Sequence, residues 1–282
     1  MIDFYISPIN IINMPELPEV ETIKNALKKV LSKQVILDFE IFNSKLRWII
    51  QKNIKSIIKN NAVEKVTRRG KYICINFKNG SLIIHLGMTG ILKILDLKNN
   101  TIEKHDHYQF TLKKYKIRFN DIRKFGSVHW ANSLNEHFLI RKLGIEPLNN
   151  TFTQEYLFKK SRNRKLSVKN FIMNQNIVTG VGNIYASEAL FLSKINPIKK
   201  SYRLKEYECK MLVLSIKKVL KNAIKYGGTT LRNFKKIDGN PGYFKQKLLV
   251  YGKEFCPVCT NSKLTKIKIG GRMSYYCKVC QK

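Results

Sequence analysis

KYICINFKNGSLIIHL, residues 71–86, contains two apolar runs that flank the dipeptide Asn79-Gly80. An Asn-Gly pair between two such runs is a strong short-range signal for a β-hairpin, because both residues readily adopt the positive φ angles of a tight turn. The segments 108–112 and 116–119 predict a second antiparallel pair. This part of the chain is therefore expected to form an antiparallel β-sandwich.

Helical periodicity surrounds these strands. After Pro18, apolar residues recur every three or four positions and predict an amphipathic helix. The stretch 146–150 (EPLNN) is the expected linker to a helical second half. Four helices are expected there, over 153–160, 165–174, 183–193 and 204–226. The sequence thus predicts an α+β fold.

Four of the six cysteines form two C-x-x-C pairs, Cys256/Cys259 and Cys277/Cys280. Two such pairs supply four thiolates for a tetrahedral Zn²⁺ ion, and a site filled by four sulfurs is structural because it has no open position for a substrate. An iron–sulfur cluster and a redox pair are the alternatives. The other two cysteines lie in apolar patterns and are expected in the core: Cys74 and Cys209.

Charge indicates the class of partner. The chain has 53 Lys and Arg against 19 Asp and Glu, a net charge of +34. Such a surface attracts polyanions, and nucleic acid is the first candidate, although an AT-rich genome would also enrich lysine without function. No apolar run approaches the roughly 18–20 residues that span a bilayer, so no membrane partner is expected. Paired cysteines suit a reducing compartment, which favours the cytoplasm.

The segment MPELPEVE, beginning at Met14, has the chemistry of an amino terminus. A free proline nitrogen is a secondary amine that can attack an aldehyde-like carbon, whereas an acylated one is not nucleophilic. If translation starts at Met14 and the methionine is removed, Pro15 becomes a nucleophile with an acid, Glu16, beside it. The alternative interpretation is a proline-rich turn. Residues 1–13 lack the basic start and cleavage site of a secretory signal and are interpreted as upstream sequence.

Three short segments suggest phosphate or base contacts. The turn 180–183 (GVGN) precedes a helix, whose N-terminal N–H groups are expected to face an anion. The basic cluster 67–71 (TRRGK) ends at Lys71. In the cluster 121–126 (DIRKFG), an arginine and an aromatic residue stand together in a loop that could wedge into a base stack. A surface turn is the alternative for the cluster 121–126.

Taken in chain order, these motifs resemble those of the bacterial formamidopyrimidine-DNA glycosylases. The resemblance runs from Met14 to Lys282 and leaves only residues 1–13 uncovered. It rests on MPELPEVET (14–22), RGKY (69–72), HLGMTG (85–90), EKHDH (103–107), GVGNIYASE (180–188), GGTTL (227–231), GYF (242–244), VYG (250–252) and the cysteine pairs.

The resemblance implies a bifunctional enzyme of base excision repair that excises oxidised purines, 8-oxoguanine and formamidopyrimidines, and cuts the strand by β,δ-elimination. Pro15 would attack C1′ of the flipped nucleotide and form a Schiff base. Glu16 would protonate the sugar ring oxygen as the ring opens. Lys71 would contact phosphate and assist elimination, and Arg272 would act in δ-elimination and clamp phosphate.

The resemblance also implies the DNA contacts. Asn183 would hold a phosphate beside the lesion, within a helix–two-turn–helix element. A mobile loop over 225–236 would close over the everted base. Further DNA contacts fall at His105, Arg123 and Arg164, while Met88, Arg123 and Phe125 would fill the gap left by that base. The expected partner is double-stranded DNA with oxidised bases or abasic sites, and the expected protein is a cytoplasmic, nucleoid-associated monomer with one structural Zn²⁺.

Four segments are expected on this basis. Residues 1–13 are a non-native extension, 14–147 the catalytic β-sandwich domain flanked by helices, 148–247 the helix–two-turn–helix domain, and 248–282 a zinc-finger β-hairpin. The chain departs from the family at Lys124, where arginine is usual, and the lysine keeps the charge but loses forked hydrogen bonding.

Two other functions stay open. The related endonuclease VIII branch acts on oxidised pyrimidines, but it usually has glycine where this chain has Leu17. The set of Met88, Arg123 and Phe125 also favours the purine enzyme. The second alternative, from a different class, is a non-catalytic zinc-finger protein that binds DNA.

Overall fold

The computed structural model describes residues 14–229, 244–260 and 262–282. The mobile loop predicted over 225–236 and the GYF motif lie partly outside these residues, and residues 1–13 lie wholly outside them. Within the described ranges the helices are α1 (Leu17–Leu31), α2 (Ile54–Ile58), α3 (Gln154–Ser161), α4 (Val168–Met173), α5 (Asn183–Leu192) and α6 (Glu206–Lys225). The strands are β1 (Asp38–Ile41), β2 (Lys65–Arg69), β3 (Tyr72–Phe77), β4 (Gly80–His85), β5 (Ile91–Asp96), β6 (Asp106–Thr111), β7 (Tyr115–Asn120), β8 (Ser127–Ala131), β9 (Thr265–Ile269) and β10 (Arg272–Tyr276).

Two four-stranded antiparallel sheets form the N-terminal half. Their strand orders are β1-β6-β7-β5 and β2-β3-β4-β8. Both predicted hairpins are confirmed, since β3 pairs with β4 and β6 pairs with β7. A side chain at Gly80 would lie 2.6 Å from the carbonyl oxygen of Ala131 on β8, so glycine is required where the first hairpin turns.

The second half is helical, as predicted. The α3, α5 and α6 helices pack around a core that includes Phe171, Tyr185 and Leu212. One boundary differs from the prediction of a helix over 165–174, because α4 begins only at Val168. The side chain of Ser167 accepts a hydrogen bond from the Asn170 N–H, at 3.3 Å, and so caps the helix there.

The α1 helix joins the two halves. Leu17 at its start belongs to the helical core, whereas Val20, Ile23 and Leu27 belong to the sandwich core. The residues just before α1 therefore lie at the junction of the two cores. The α+β fold is confirmed, and the four domain boundaries stay predictions.

The cysteine-containing segment forms a small unit of its own. Strands β9 and β10 pair in an antiparallel hairpin whose turn, Gly270-Gly271, has φ angles of 56° and 76°. The turn packs against α4, since a side chain at Gly270 would meet the amide of Asn170. Arg272 is the first residue after the turn and lies at the hairpin tip. No helix in the described part of the chain has the length and apolar character to cross a bilayer.

Candidate active site

A cleft of about 770 Å³ opens between the sandwich, the helical core and the hairpin tip. Five residues that the sequence assigns to the site line it: Glu16, Lys71, Met88, Asn183 and Arg272. Pro15 is half-buried and connects two lining residues, Met14 and Glu16. Residues far apart in the chain are thus brought to one cavity.

Glu16 is held by the N-terminus of α5. Its carboxylate accepts hydrogen bonds from the N–H of Ile184, at 2.9 Å, and from the N–H of Tyr185, at 3.4 Å. A side chain at Gly182 would collide with this carboxylate, so the glycine turn lets the two segments approach. The sequence predicts that these N–H groups face a phosphate. That prediction is wrong for Ile184 and Tyr185, whose anion is Glu16 itself.

The environment of Glu16 suits a proton donor. The side chain is 3% exposed, and this burial raises the pKa of its carboxyl to about 7, against the opposing effect of the Lys71 ammonium. A carboxylic acid with a pKa near neutrality can both give and take a proton at physiological pH. The site therefore holds an acid poised for transfer beside Pro15.

Lys71 lies in the turn between β2 and β3, directly before β3 begins at Tyr72. Burial lowers the pKa of Lys71; the Glu16 carboxylate raises it, and the Arg272 guanidinium lowers it again. The rest of the basic cluster is structural. Arg68 bonds to the carboxylates of Glu21, at 2.7 Å, and Glu146, at 2.8 Å.

The side-chain amide of Asn183 forms hydrogen bonds with three neighbouring residues. Its amide nitrogen donates to the hydroxyl of Tyr251, at 3.1 Å, and to the carbonyl of Met273 beside the hairpin tip, at 3.0 Å. Its amide oxygen accepts from Lys169 Nζ at 2.7 Å. These bonds fix the start of α5 against the β10 strand that carries Arg272.

Lys169 is a site residue that sequence reasoning missed. It is fully buried, and its ammonium also donates to the hydroxyl of Ser274 at 2.5 Å. Burial lowers the pKa of Lys169 to about 7, with Glu16 acting in the opposite direction. The available signal was a lysine inside an apolar helical run, where a buried lysine must have polar partners.

Glu19 was missed as well. It accepts hydrogen bonds from the hydroxyl of Tyr185, at 2.5 Å, and from the N–H of Thr229, at 2.8 Å, while its second oxygen accepts from the N–H of Glu16, at 3.0 Å. One buried carboxylate therefore connects the Pro15-Glu16 segment to α5 and to the chain just beyond α6.

His85 also lines the cleft. Burial, reinforced by the charges of Lys71 and Arg47, lowers the pKa of His85 to about 4, so the ring is neutral at physiological pH. The N–H of Gly87 donates to Nδ1 at 3.1 Å, which leaves the ring proton on Nε2. The ring can thus offer one N–H donor to an anion in the cleft.

Two loops beside the cleft are joined by Asp121. This buried carboxylate accepts a hydrogen bond from the hydroxyl of Thr89, which follows Met88. It also accepts from the N–H of Arg123, at 3.2 Å, and from the N–H of Gly126, at 2.7 Å. The loop that carries Met88 is thereby fixed to the loop that carries Arg123 and Phe125. We call these two loops the wedge loops.

Arg123 and Phe125 do not line the cleft itself. The Arg123 guanidinium lies 4.9 Å from the centre of the Phe125 ring, and both side chains are exposed. Lys124 between them has a φ of 58°. The pair forms an exposed cationic and aromatic projection, which fits the wedge that the sequence predicts.

Removing the Asp121 carboxylate is expected to loosen this arrangement. We expect Asp121→Ala to lower the free energy of unfolding by about 2–4 kcal/mol, because the Thr89 hydroxyl and the Gly126 N–H lose their acceptor and the Arg123 N–H keeps only the Thr89 hydroxyl. Thr89→Val, the matched control, removes one donor to Asp121 and one of the two acceptors of the Arg123 N–H, and it should cost about 1 kcal/mol. Denaturant unfolding of both variants checks this, and equal losses would contradict the assigned role of Asp121.

His105 and Arg164 lie away from the cleft lining. The carbonyl of His105 accepts from the N–H of Asp121 at 3.0 Å, so it sits beside the wedge loops. Arg164 is exposed between α3 and α4, where its Nε donates to the carbonyl of Lys160 at 3.0 Å. The structure does not bring these two residues to the cavity.

The four paired cysteines converge. Their sulfur atoms all lie within 4.8 Å of one another, the one such grouping of three or more potential ligands found among the described residues. Zn–S bonds of about 2.3 Å in a tetrahedron place the sulfurs about 3.8 Å apart, so the cluster fits a metal ion. The other two cysteines are buried in the cores, as predicted: Cys74 and Cys209.

Family comparisons agree with this geometry. Residues 14–128 match the formamidopyrimidine-DNA glycosylase N-terminal domain, and residues 143–235 match the formamidopyrimidine-DNA glycosylase H2TH domain. The chain belongs to the formamidopyrimidine-DNA glycosylase family. Membership of this family makes the protein a DNA glycosylase of base excision repair. The matched region begins at Met14, the residue at which the sequence predicts the native start.

Whole-length relatives support the assignment. The formamidopyrimidine-DNA glycosylase of Histophilus somni (strain 129Pt) is 45% identical over 272 residues, which cover 95% of this chain and 100% of the relative. The enzyme of Aliivibrio fischeri (strain MJ11) is 46% identical over 271 residues, which cover 95% of this chain and 98% of the relative. The relatives are thus spanned in full or nearly so.

Solved structures show the same fold. A Lactococcus lactis enzyme variant in complex with DNA containing Fapy-dG is 33% identical to this chain and superposes on it with a TM-score of 0.86. The match covers 95% of this chain and 100% of that structure. The Lactococcus lactis enzyme in complex with abasic-site DNA has the same identity and TM-score, with 99% of it covered. Those proteins bind damaged DNA.

Proposed function

We propose that this protein is a bifunctional DNA glycosylase and abasic-site lyase that excises oxidised purines, 8-oxoguanine and formamidopyrimidines, from double-stranded DNA. The observation that carries the proposal is the set of Glu16, Lys71 and Arg272 around one cleft, with Pro15 at its edge. An acid with a pKa of about 7, next to a potential secondary amine, is what imine chemistry at a sugar carbon requires.

The first step uses Pro15 as the nucleophile. Its free nitrogen attacks C1′ as the bond from C1′ to the damaged base breaks; the base leaves with the bonding electrons and takes up the proton that the nitrogen loses. Glu16 protonates the ring oxygen, so the sugar opens and a Schiff base forms between C1′ and the nitrogen. This step requires translation from Met14 followed by removal of the methionine, and residues 1–13 are not part of the mature protein in this proposal.

Elimination then cuts the strand. Loss of a proton from C2′ expels the 3′ phosphate, and Lys71 assists this β-elimination from its position beside Glu16. Arg272 clamps phosphate and assists the δ-elimination that expels the 5′ phosphate. In this proposal Asn183 holds a phosphate beside the lesion; Asn183 and His85 both line the cleft.

Recognition depends on residues outside the cavity. Met88, Arg123 and Phe125 fill the gap that the everted base leaves, which offsets a cost of a few kcal/mol for unstacking. His105 and Arg164 contact the DNA outside the cleft. We place the protein in the cytoplasm, associated with the nucleoid, as a monomer with the four-segment organisation given above.

The cysteine cluster holds one structural Zn²⁺ in this proposal. Cys256, Cys259, Cys277 and Cys280 are its ligands. The ion stabilises the hairpin and takes no part in the reaction. The chain's own contribution is the position of Arg272, which begins β10 at the hairpin tip and projects to the cleft.

Loss of this metal is expected to act through the hairpin. We expect Cys277→Ser to lower zinc content to background and to reduce δ-elimination products relative to β-elimination products, because Arg272 loses its fixed position. Metal analysis and gel separation of the two product ends measure both effects. Cys209→Ala, which removes a thiol outside the cluster, should change neither, and unchanged δ-products without zinc would contradict the assignment.

Salt dependence tests the contribution of charge. We expect the logarithm of the DNA affinity to fall by roughly 0.9 per phosphate neutralised for each tenfold rise in salt, since lysines and arginines release counterions from the duplex. Titration of an uncleavable duplex over several salt concentrations gives the slope. A flat response would contradict DNA binding by this basic surface.

Borohydride trapping tests the proposed activity. Reduction of the Schiff base should link the protein covalently to a duplex that contains 8-oxoguanine, and Pro15→Ala, which retains only a primary amine, should give much less adduct. Duplexes with an oxidised pyrimidine distinguish the endonuclease VIII alternative. Binding without any adduct would instead indicate the non-catalytic DNA-binding protein.

A further inference from the structure

The outward face of α6 exposes large apolar side chains. Tyr207 is 63% exposed, Met211 46% and Leu214 53%. Their spacing of four and three residues places them on one side of the helix. A contiguous exposed apolar stripe is uncommon on a soluble protein and marks an interaction site more often than single exposed residues do.

The opposite side of α6 is packed against the rest of the protein. Cys209, Leu212 and Ile216 are buried in the helical core, and α6 packs against α3, α5 and α1. The helix is thus seated in the fold, and the exposed stripe is not a second core-facing side.

The same outward face continues as a basic strip. Lys218, Lys221 and Lys225 follow Leu214 at intervals of four, three and four residues, and all three are exposed. A rise of 1.5 Å per residue gives the whole face, from Tyr207 to Lys225, a length of about 27 Å. One end of the face is apolar and the other is cationic, so a ligand that matches both ends binds along it in one orientation.

This face lies outside the active site. The cleft is lined by residues before α1, in the sandwich loops, at the end of α4, at the start of α5 and at the hairpin tip, and no α6 residue belongs to the lining. An occupant of the α6 face could therefore bind while DNA fills the cleft.

The chemistry of the face selects its occupant. A DNA backbone would satisfy the lysines but would leave Tyr207, Met211 and Leu214 without apolar partners. A second copy of this chain carries the same net charge of +34 and would be repelled. A peptide with adjacent apolar and acidic residues matches both ends.

We propose that the outward face of α6 docks an acidic, apolar segment of a partner protein, with the apolar side chains over Tyr207, Met211 and Leu214 and the carboxylates over Lys218, Lys221 and Lys225. The proposal is independent of the reaction in the cleft. It predicts that this DNA-bound protein can be recruited by a second protein.

Fluorescence anisotropy can test the proposal. The probe is a labelled peptide in which leucine and phenylalanine precede a run of aspartates, titrated with full-length protein saturated by a duplex containing an uncleavable tetrahydrofuran site. We expect saturable binding that Tyr207→Ser/Leu214→Ser weakens about tenfold or more. Lys218→Gln/Lys221→Gln should also weaken binding and reduce its salt dependence.

Controls separate this site from general attraction of anions. Lys113→Gln/Lys114→Gln removes two exposed lysines from the β6–β7 turn and should leave peptide affinity unchanged. Equal affinity for a peptide with serines in place of its apolar residues would overturn the proposal, as would release of the peptide by the duplex. Binding of anionic lipid vesicles that depends on Tyr207 and Leu214, with no peptide binding, would assign the face to a membrane surface instead.

Discussion

A preparation that retains residues 1–13 is expected to bind abasic DNA but to form only background levels of covalent adduct under borohydride. In that chain the Pro15 nitrogen is an amide, whose lone pair is delocalised into the carbonyl and cannot attack C1′. Binding should persist, because Arg272, Asn183 and the wedge loops do not depend on the free nitrogen. Gel shift and trapping on the same duplex measure the two properties separately.

A matched control uses one polypeptide in two states. A protease site placed directly before Pro15, in a chain that carries Met14→Ala to prevent internal initiation, keeps the nitrogen blocked until the protease is added. Cleavage should restore adduct formation to the level of the native protein. Full trapping before cleavage would show that another amine is the nucleophile.

Glu16→Gln is expected to separate base excision from strand cleavage. An amide of the same size cannot protonate the ring oxygen, so excision of 8-oxoguanine should fall by about 10²–10⁴. An abasic site already contains some open-chain aldehyde, which Pro15 can attack without that proton. Trapping on abasic DNA should therefore be much less affected, and Glu64→Gln, an exposed control, should change neither activity.

The pH dependence of Glu16 gives a second readout. Because burial raises its pKa to about 7 in the folded protein, against an ordinary value of 4.5, the folded state binds more protons over this interval. The contribution of Glu16 to the free energy of unfolding should accordingly fall as the pH rises from about 4.5 through about 7, whereas His85, whose pKa is lowered to about 4, contributes the opposite slope below about 6.5. The difference in unfolding free energy between the native protein and Glu16→Gln isolates the Glu16 contribution, and a difference that does not change with pH would contradict a buried, protonatable Glu16.

Local signals predicted the elements that frame the site. The Asn79-Gly80 turn and the apolar runs on both sides of it specify the β3–β4 hairpin without reference to the rest of the chain. The spacing of the cysteines likewise places their sulfurs in one cluster, because each pair lies on a short turn. The start of α4 depended on the Ser167 side chain, and periodicity alone extended the helix too far.

The contacts around Glu16 could not be predicted in this way. Glu16 and Ile184 are separated by 168 positions, and Glu19 and Thr229 by 210. Only the docking of α1 at the junction of the two cores brings them together. For the same reason the sequence of the turn 180–183 indicates a phosphate site, although its helix receives an anion from within the protein, the Glu16 carboxylate.

Basic residues were the hardest to assign from sequence. In the cluster 67–71, Arg68 is paired with carboxylates and only Lys71 lines the cleft. Lys169, which no motif of the sequence singled out, is buried with Asn183 and Ser274 as partners. The sign of the charge is visible in a sequence, but its partners depend on tertiary packing.

The central claim is that the unblocked nitrogen of Pro15 carries the chemistry. Mass spectrometry of a borohydride-trapped complex, digested to peptides, locates the reduced sugar adduct directly. We expect a single modified peptide that begins with Pro15 and carries the adduct on its terminal nitrogen. An adduct on a lysine such as Lys71, or one recovered from active protein in which residues 1–13 still precede Met14, would contradict it.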